Sequence, residues 1–186
     1  AWGNLQSEIR DWDFDGIVAL NRSAWETQLQ KFRTEGGTED QRIIFYTGLY
    51  HVFTYPMLYS DTDGRFRGPD HRVHQARGYD NYSGVVGVWD TYRSAVPLLH
   101  FTNPQVSSDY INTMLDHYDI SGLLPIWTLW GNEFFGMLGY HCLPVIADAY
   151  SKGIGGFDPG RALEAMQATA EKDTFGYWMR RWIGLK

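Results

Sequence analysis

The stretch Thr38-Glu39-Asp40-Gln41-Arg42-Ile43-Ile44-Phe45-Tyr46-Thr47-Gly48-Leu49-Tyr50-His51-Val52-Phe53 decides how the chain is read. Thr38 and Gln41 have the Ser/Thr-x-x-Glu/Gln spacing of a capping box, in which side chains and backbone satisfy each other's orphan groups at a helix start. Ile43, Tyr46, Tyr50 and Phe53 then recur at three- and four-residue steps, which predicts one helix ending before Pro56. Upstream, Asp15 is placed to cap an earlier helix running to about Arg33, with Val18, Trp25, Leu29 and Phe32 near one face. Gly36-Gly37 stops it. Two helices with a short polar connection make a helical hairpin, and the rest of the chain repeats that theme.

Downstream the signals alternate. Met57 to Asp61 and Arg65 to Arg67 flank Asp63-Gly64, which suits a tight β-hairpin turn, and Gly68 to Gly87 reads as an irregular rim loop. A helical pattern resumes at Trp89 and runs to about Phe101. Asn103-Pro104 offers a cap and a first-turn proline for a helix through Ile111, Met114, Leu115 and Tyr118. Gly122 to Asn132 is a loop. A long helix is expected from about Glu133 to Lys152, kinked or broken at Pro144, and Asp158-Pro159 opens another through Leu163, Met166 and Ala170. The class is therefore all-α, as helical hairpins packed side by side with one short β-hairpin and long rim loops. A closed ring of such hairpins would gather the long loops at one end, and an open bundle fits the same pattern.

Composition narrows the function. With 44% hydrophobic and 20% charged residues in 186, the chain is globular and of ordinary domain size. Its formal charge of −6 and scattered Lys and Arg leave no basic stripe, which argues against nucleic acid as a partner. Apolar runs fall well short of the ~20 residues of a membrane span. Cys142 is the only cysteine, so an intrachain disulfide is impossible and redox chemistry leaves the compartment open. Aromatics reach 16% with eight Trp; such rings fill cores, and they also stack on the C–H faces of sugars. The opening Ala1-Trp2-Gly3 and the apolar, basic close from Trp178 to Lys186 both read as cuts through a longer chain.

Three junctions concentrate polar and aromatic groups. In Ser60 to Gly68, Asp61 and Asp63 resemble the start of a calcium loop, but Arg65 stands where a third acid belongs and the EF-hand register fails. In Trp89-Asp90-Thr91-Tyr92-Arg93, Asp90 serves either as a helix cap or as a carboxylate for two sugar hydroxyls, with Trp89 to stack and Arg93 to fix the carboxylate. In Trp127 to Glu133, followed by Tyr140-His141, Glu133 beside tryptophans has the setting of a general acid or of a charge favoured in a first helical turn, and the pattern alone assigns no acid. No phosphate-cradling loop, nucleophile elbow or His-Glu-x-x-His zinc pattern is present.

Six linked motifs carry more weight. Phe45-Tyr46-Thr47-Gly48-Leu49-Tyr50-His51, Ser60-Asp61-Thr62-Asp63-Gly64-Arg65-Phe66-Arg67-Gly68, Val88-Trp89-Asp90-Thr91-Tyr92-Arg93, Gly122-Leu123-Leu124-Pro125-Ile126-Trp127, Gly131-Asn132-Glu133 with Met137-Leu138-Gly139-Tyr140-His141, and Ala147 to Gly153 resemble glycoside hydrolase family 92 in order and spacing. The resemblance implies a calcium-dependent, inverting exo-α-mannosidase acting on N-glycans or mannan, mostly bacterial and secreted or periplasmic. It implies part of an (α/α)6 toroid spanning residues 1–186, with the β-sandwich and remaining helices of the parent outside this chain. Inversion needs an acid and a base on opposite faces of the bond; the family's later motifs that supply them, and most of its Ca2+ ligands, are not found here. What carries over is the grip on the terminal mannose, at Trp89, Asp90, Arg93, Asn132 and Glu133. Thr128 departs from the Glu that many relatives place after the Trp, which leaves linkage preference open. The alternatives are a stand-alone helical carbohydrate-binding or interaction module, and a toroid lyase, whose acidic substrate the negative net charge disfavours.

Overall fold

A computed structural model describes residues 2–9, 11–83, 87–129, 131–134, 137 and 139–172. The readings of Trp130 and of the closing run from Trp178 lie outside the described residues. Two compact units are present: residues 1–57 with 61–63, and residues 58–60 with 64–186.

The first unit holds α1 (Trp2–Glu8), α2 (Phe14–Leu29) and α3 (Glu39–Phe53). The capping box forms as expected: Thr38 Oγ1 accepts from Gln41 N–H, and Gln41 Oε1 accepts from Thr38 N–H at 2.9 Å. The cap of α2 is a correction. Asp13, not Asp15, is the N-cap, its carboxylate accepting from Gly16 N–H at 3.0 Å, which places Asp15 inside the first turn. Helices α2 and α3 meet through Trp25 on Tyr50, ring centroids 4.5 Å apart, and Phe32 against Phe45. Val18 and Ile43 of the predicted faces are exposed, and Leu49 is the buried apolar side chain here. In the same unit, Asn4 Nδ2 donates to Asp61 at 2.8 Å.

The second unit is built around α6 (Pro104–Ser121). Its neighbours are α5 (Ala95–Thr102), α7 (Cys142–Ser151) and α8 (Pro159–Glu171). Tyr110, Ile111, Met114 and Leu115 are fully enclosed, and Val96, Leu99, Val145, Ile146, Ala149 and Ala165 close over them. Small side chains on α7 and α8 let those helices approach, so a helix only moderately apolar in sequence is buried on most of its circumference. Pro104 occupies the first turn, and Asp158 caps α8 through Gly160 N–H and Arg161 N–H.

Short strands replace part of what was read as turn and loop. These are β1 (Met57–Leu58), β2 (Arg65–Arg67), β3 (Val73–Gln75) and β4 (Tyr82–Ser83). The hairpin expected across Asp63-Gly64 does not form. Strand β2 pairs antiparallel with β3, with Phe66 opposite His74, and the turn lies at Gly68 to Arg72. Gly64, at φ 79°, instead lies against Ala76 O, so it abuts the far end of that ladder. The predicted helix from Trp89 divides into α4 (Val88–Thr91) and α5, and the one from Glu133 begins only at Cys142. In its place Thr128–Leu129 (β5) pairs with Asn132–Glu133 (β6) around Gly131 at φ 74°. Pro144 therefore stands in the first turn of α7, where its missing N–H costs nothing.

Long connections (54–87 and 122–141) alternate with short ones (30–38, 103 and 152–158), the spacing of successive helical hairpins.

Candidate functional site

Of the residues singled out for sugar binding, Asn132 and Glu133 lie on the second long connection, and Trp89, Asp90 and Arg93 follow directly after the first. Within the second unit the two long connections meet at a small open recess of about 40 Å³, lined by Tyr59, Phe66, Asn81, His117, Thr128 and Gly131 among others. A side chain on Gly131 would lie 2.7 Å from Tyr59 Oη and 2.9 Å from Arg67 O, so only glycine allows the β5–β6 turn to close against the end of β2. Behind Asn81 stands a buried network. Tyr79 Oη donates to Asp116 at 2.6 Å and Asn81 Nδ2 donates to the same carboxylate at 3.2 Å, while Arg161 lies 3.9 Å from it. Burial raises the Asp116 carboxyl above its usual range, partly opposed by these bonds, and burial also pushes the Tyr79 phenol up. Tyr82 is pushed up to about 12, by burial first and then by Asp80 and Asp109. These phenols are donors at neutral pH, not bases.

His117 lies under the recess. Its Nδ1–H donates to Leu123 O at 2.9 Å, which leaves Nε2 buried without a hydrogen-bond partner and 3.9 Å from Glu133 Oε2. Burial lowers its basicity, so the ring is neutral despite the carboxylate beside it.

The five predicted binding residues divide in two. Trp89 and Asp90 sit in α4, opened by Gly87 at φ 68°; a side chain there would approach Asp90 Oδ2 to 3.1 Å. Asp90 and Arg93 are exposed, and Trp89 is half-buried with its indole N–H enclosed and unpartnered. The Arg93 guanidinium lies 5.0 Å from the Tyr92 ring centre rather than fixing a carboxylate, and the Tyr92 ring lies tilted against His141, ring centroids 4.7 Å apart. That contact joins the Trp89–Asp90 segment to the 122–141 connection. Asn132 is exposed on β6, next to the recess. Glu133 differs from its reading. Its side chain is only 3% exposed, and its carboxylate accepts from Ile126 N–H at 2.8 Å and Trp127 N–H at 3.0 Å. It is neither in a helical turn nor open to a sugar. Tyr59, Asn81, Asp116 and His117 were not singled out in the sequence; the Tyr79-Asp80-Asn81-Tyr82 string was the one signal for part of this set.

Among the described residues no group of three or more His, Cys, Asp or Glu side chains comes together to hold a metal ion. Asp61 is bonded to Asn4 and Asp70 to His74. Cys142 is also unavailable for chemistry, its thiol buried, donating to Pro125 O and pushed up by burial.

The model of the glycosyl hydrolase family 92 catalytic domain matches residues 1–184. The chain belongs to glycosyl hydrolase family 92. Among solved structures, the family 92 α-mannosidase BT3965 of Bacteroides thetaiotaomicron is 37% identical over 92% of this chain, with a TM-score of 0.87, and one of its structures holds mannoimidazole. The inverting family 92 mannosidase BT2199 of the same organism is 30% identical over 89% of the chain, with a TM-score of 0.79. The family 92 hydrolase ccman5 is 26% identical over 92%, with a TM-score of 0.76. These are α/α toroid proteins, which is the fold class expected. The chain spans about a quarter of their length, 23% of BT3965 and 22% of BT2199. No protein of curated function matches.

Proposed function

We propose that this chain forms one side of the mannose pocket of an exo-α-mannosidase that inverts the anomeric centre, and that alone it binds mannose weakly without turnover. The observation that carries this reading is the meeting of the two long connections within a chain that aligns over 92% of its length with an α-mannosidase. Groups on and next to these connections suit a neutral sugar: the exposed Asp90 carboxylate for hydroxyls, the exposed Asn132 as donor and acceptor, and the half-buried Trp89 ring for stacking. Catalysis requires one carboxyl group to protonate the leaving oxygen and another to activate water on the opposite face. Glu133 is held by backbone amides and is assigned neither role; both are attributed to the family's later motifs, outside residues 1–186. N-glycan or mannan substrates, calcium dependence and secretion belong to the same proposal, with the calcium ligands attributed mainly to segments outside this chain.

Exchanging the matching segment of BT3965 for residues 1–184 tests the reading. The expected outcome is a folded chimera that releases mannose from an α-mannoside, and loses about a hundred-fold or more in kcat/KM on Asp90→Ala, as when a charged hydrogen-bonding group at the reacting sugar is removed. A folded chimera that binds mannose without hydrolysis favours the binding-module alternative. One that does neither overturns the proposal.

A further inference from the structure

Residues 123–127 run as a segment whose backbone groups are taken up, one after another, by buried or half-buried side chains. His117 Nδ1–H donates to Leu123 O, Thr169 Oγ1 accepts from Leu124 N–H at 2.9 Å, Cys142 Sγ donates to Pro125 O, and Glu133 accepts from Ile126 N–H and Trp127 N–H. Three of those four side chains come from helices, α6, α8 and α7. Glu133 alone belongs to the loop, and it alone takes two successive amides with one carboxylate. Bonds from backbone amides to a carboxylate are short and strong, and this carboxylate is kept from water. The same turn that buries Glu133 presents Asn132 outward and sets Trp127 against Phe134, ring centroids 5.0 Å apart.

We infer that Glu133 is a positioning residue: its carboxylate ties the Ile126–Trp127 peptides to β6 and so fixes where Trp127 and Asn132 stand, each next in sequence to a residue that lines the recess, Thr128 and Gly131. The inference rests on the mannose reading for its purpose, but the tie itself does not. His117 Nε2 lies 3.9 Å from the carboxylate, farther than either amide nitrogen. Glutamine at 133 keeps the shape but offers one acceptor oxygen and turns an amide N–H2 toward one of the two backbone N–H groups.

The test uses the full 186-residue chain, as wild type, Glu133→Gln and Glu133→Ala. Hydrogen exchange at Ile126 and Trp127 is expected to be protected in the wild type. In Glu133→Gln it should speed up about ten-fold or more while the α6 amides stay protected, and Glu133→Ala should go further, in line with the loss of a charge-assisted bond. Methyl α-mannoside is then titrated with the Trp127 and Asn132 signals as reporters. The expected result is a weak saturable shift in the wild type that is lost or weakened about five-fold or more in Glu133→Gln, as for a residue that orients a binding surface. Wild-type amides at 126 and 127 that exchange as fast as exposed ones overturn the tie, even if neither variant folds. A tie that is present, with equal sugar affinity in wild type and Glu133→Gln, overturns the positioning role. No shift in the wild type, with protection intact, removes the mannose reading and the positioning role with it while leaving the tie in place.

Discussion

His100 and His117 show how far a single residue's surroundings can outweigh its ordinary chemistry. Both rings are buried in the second unit, and both are held neutral. Burial pushes His100 below its ordinary 6.5, and Asp148, 3.8 Å away, opposes this only in part. The unfolded chain accepts a proton that the folded chain refuses. Their contribution to stability is therefore complete above the unfolded value and is lost as pH falls below it toward the lowered folded value. Asp109 and Asp116 work in the other sense, since burial raises them and the folded state then gains as they protonate. A variant isolates the imidazole. His100→Gln should flatten the fall in unfolding free energy between about pH 7 and about pH 5, read from denaturant melts at several pH values. An unchanged slope would show that His100 does not titrate differently in the two states. None of this was legible in the sequence, because a histidine on a helix reads the same whether its ring meets water or a neighbour's methyl groups.

At the scale of the element, the starts of α3 and α8 were legible, whereas Asn103 makes no side-chain cap bond at the start of α6 and the strands were not foreseen. Thr38 with Gln41, and Asp158 before Pro159, hold their signals within a single turn, so the cap forms wherever the helix goes. Thr38→Ala should cost about 1 kcal/mol in the stability of the α2–α3 pair and speed exchange at the Gln41 amide; equal exchange in the variant would mean that packing, not the cap, starts α3. The one displaced cap, Asp13 for Asp15, is a choice between two acids two residues apart, and the side chain that can reach Gly16 N–H prevails. Strands of two or three residues carry no periodicity of their own. Arg65–Arg67 could face Met57–Asp61 or Val73–Gln75, and the turn at Gly68 to Arg72, with His71 at φ 64°, selects the second. The same limit turned the first turns of a predicted helix at Glu133 into the β5–β6 pair.

Among the described residues, large apolar side chains lie exposed in both units, with Phe101 of the second 82% exposed. In the first unit Trp2, Trp12, Phe14, Leu20 and Ile44 are each more than 60% exposed, beyond what isolated surface hydrophobes explain. The chain on its own should bind an environment-sensitive apolar dye and self-associate as concentration rises; a non-scattering monomer that leaves the dye dark would contradict this. Helical periodicity, capping residues and the ordered motifs determined the class, the hairpin succession and the family, because each acts over a few residues or is read directly as letters. Which polar groups are open to a ligand was decided only by tertiary structure. Asp90 and Asn132 stay at the surface while Glu133, adjacent in sequence to Asn132, turns inward to two amides. That difference depends on which face of a two-residue strand meets α6, and long-range packing fixes the face.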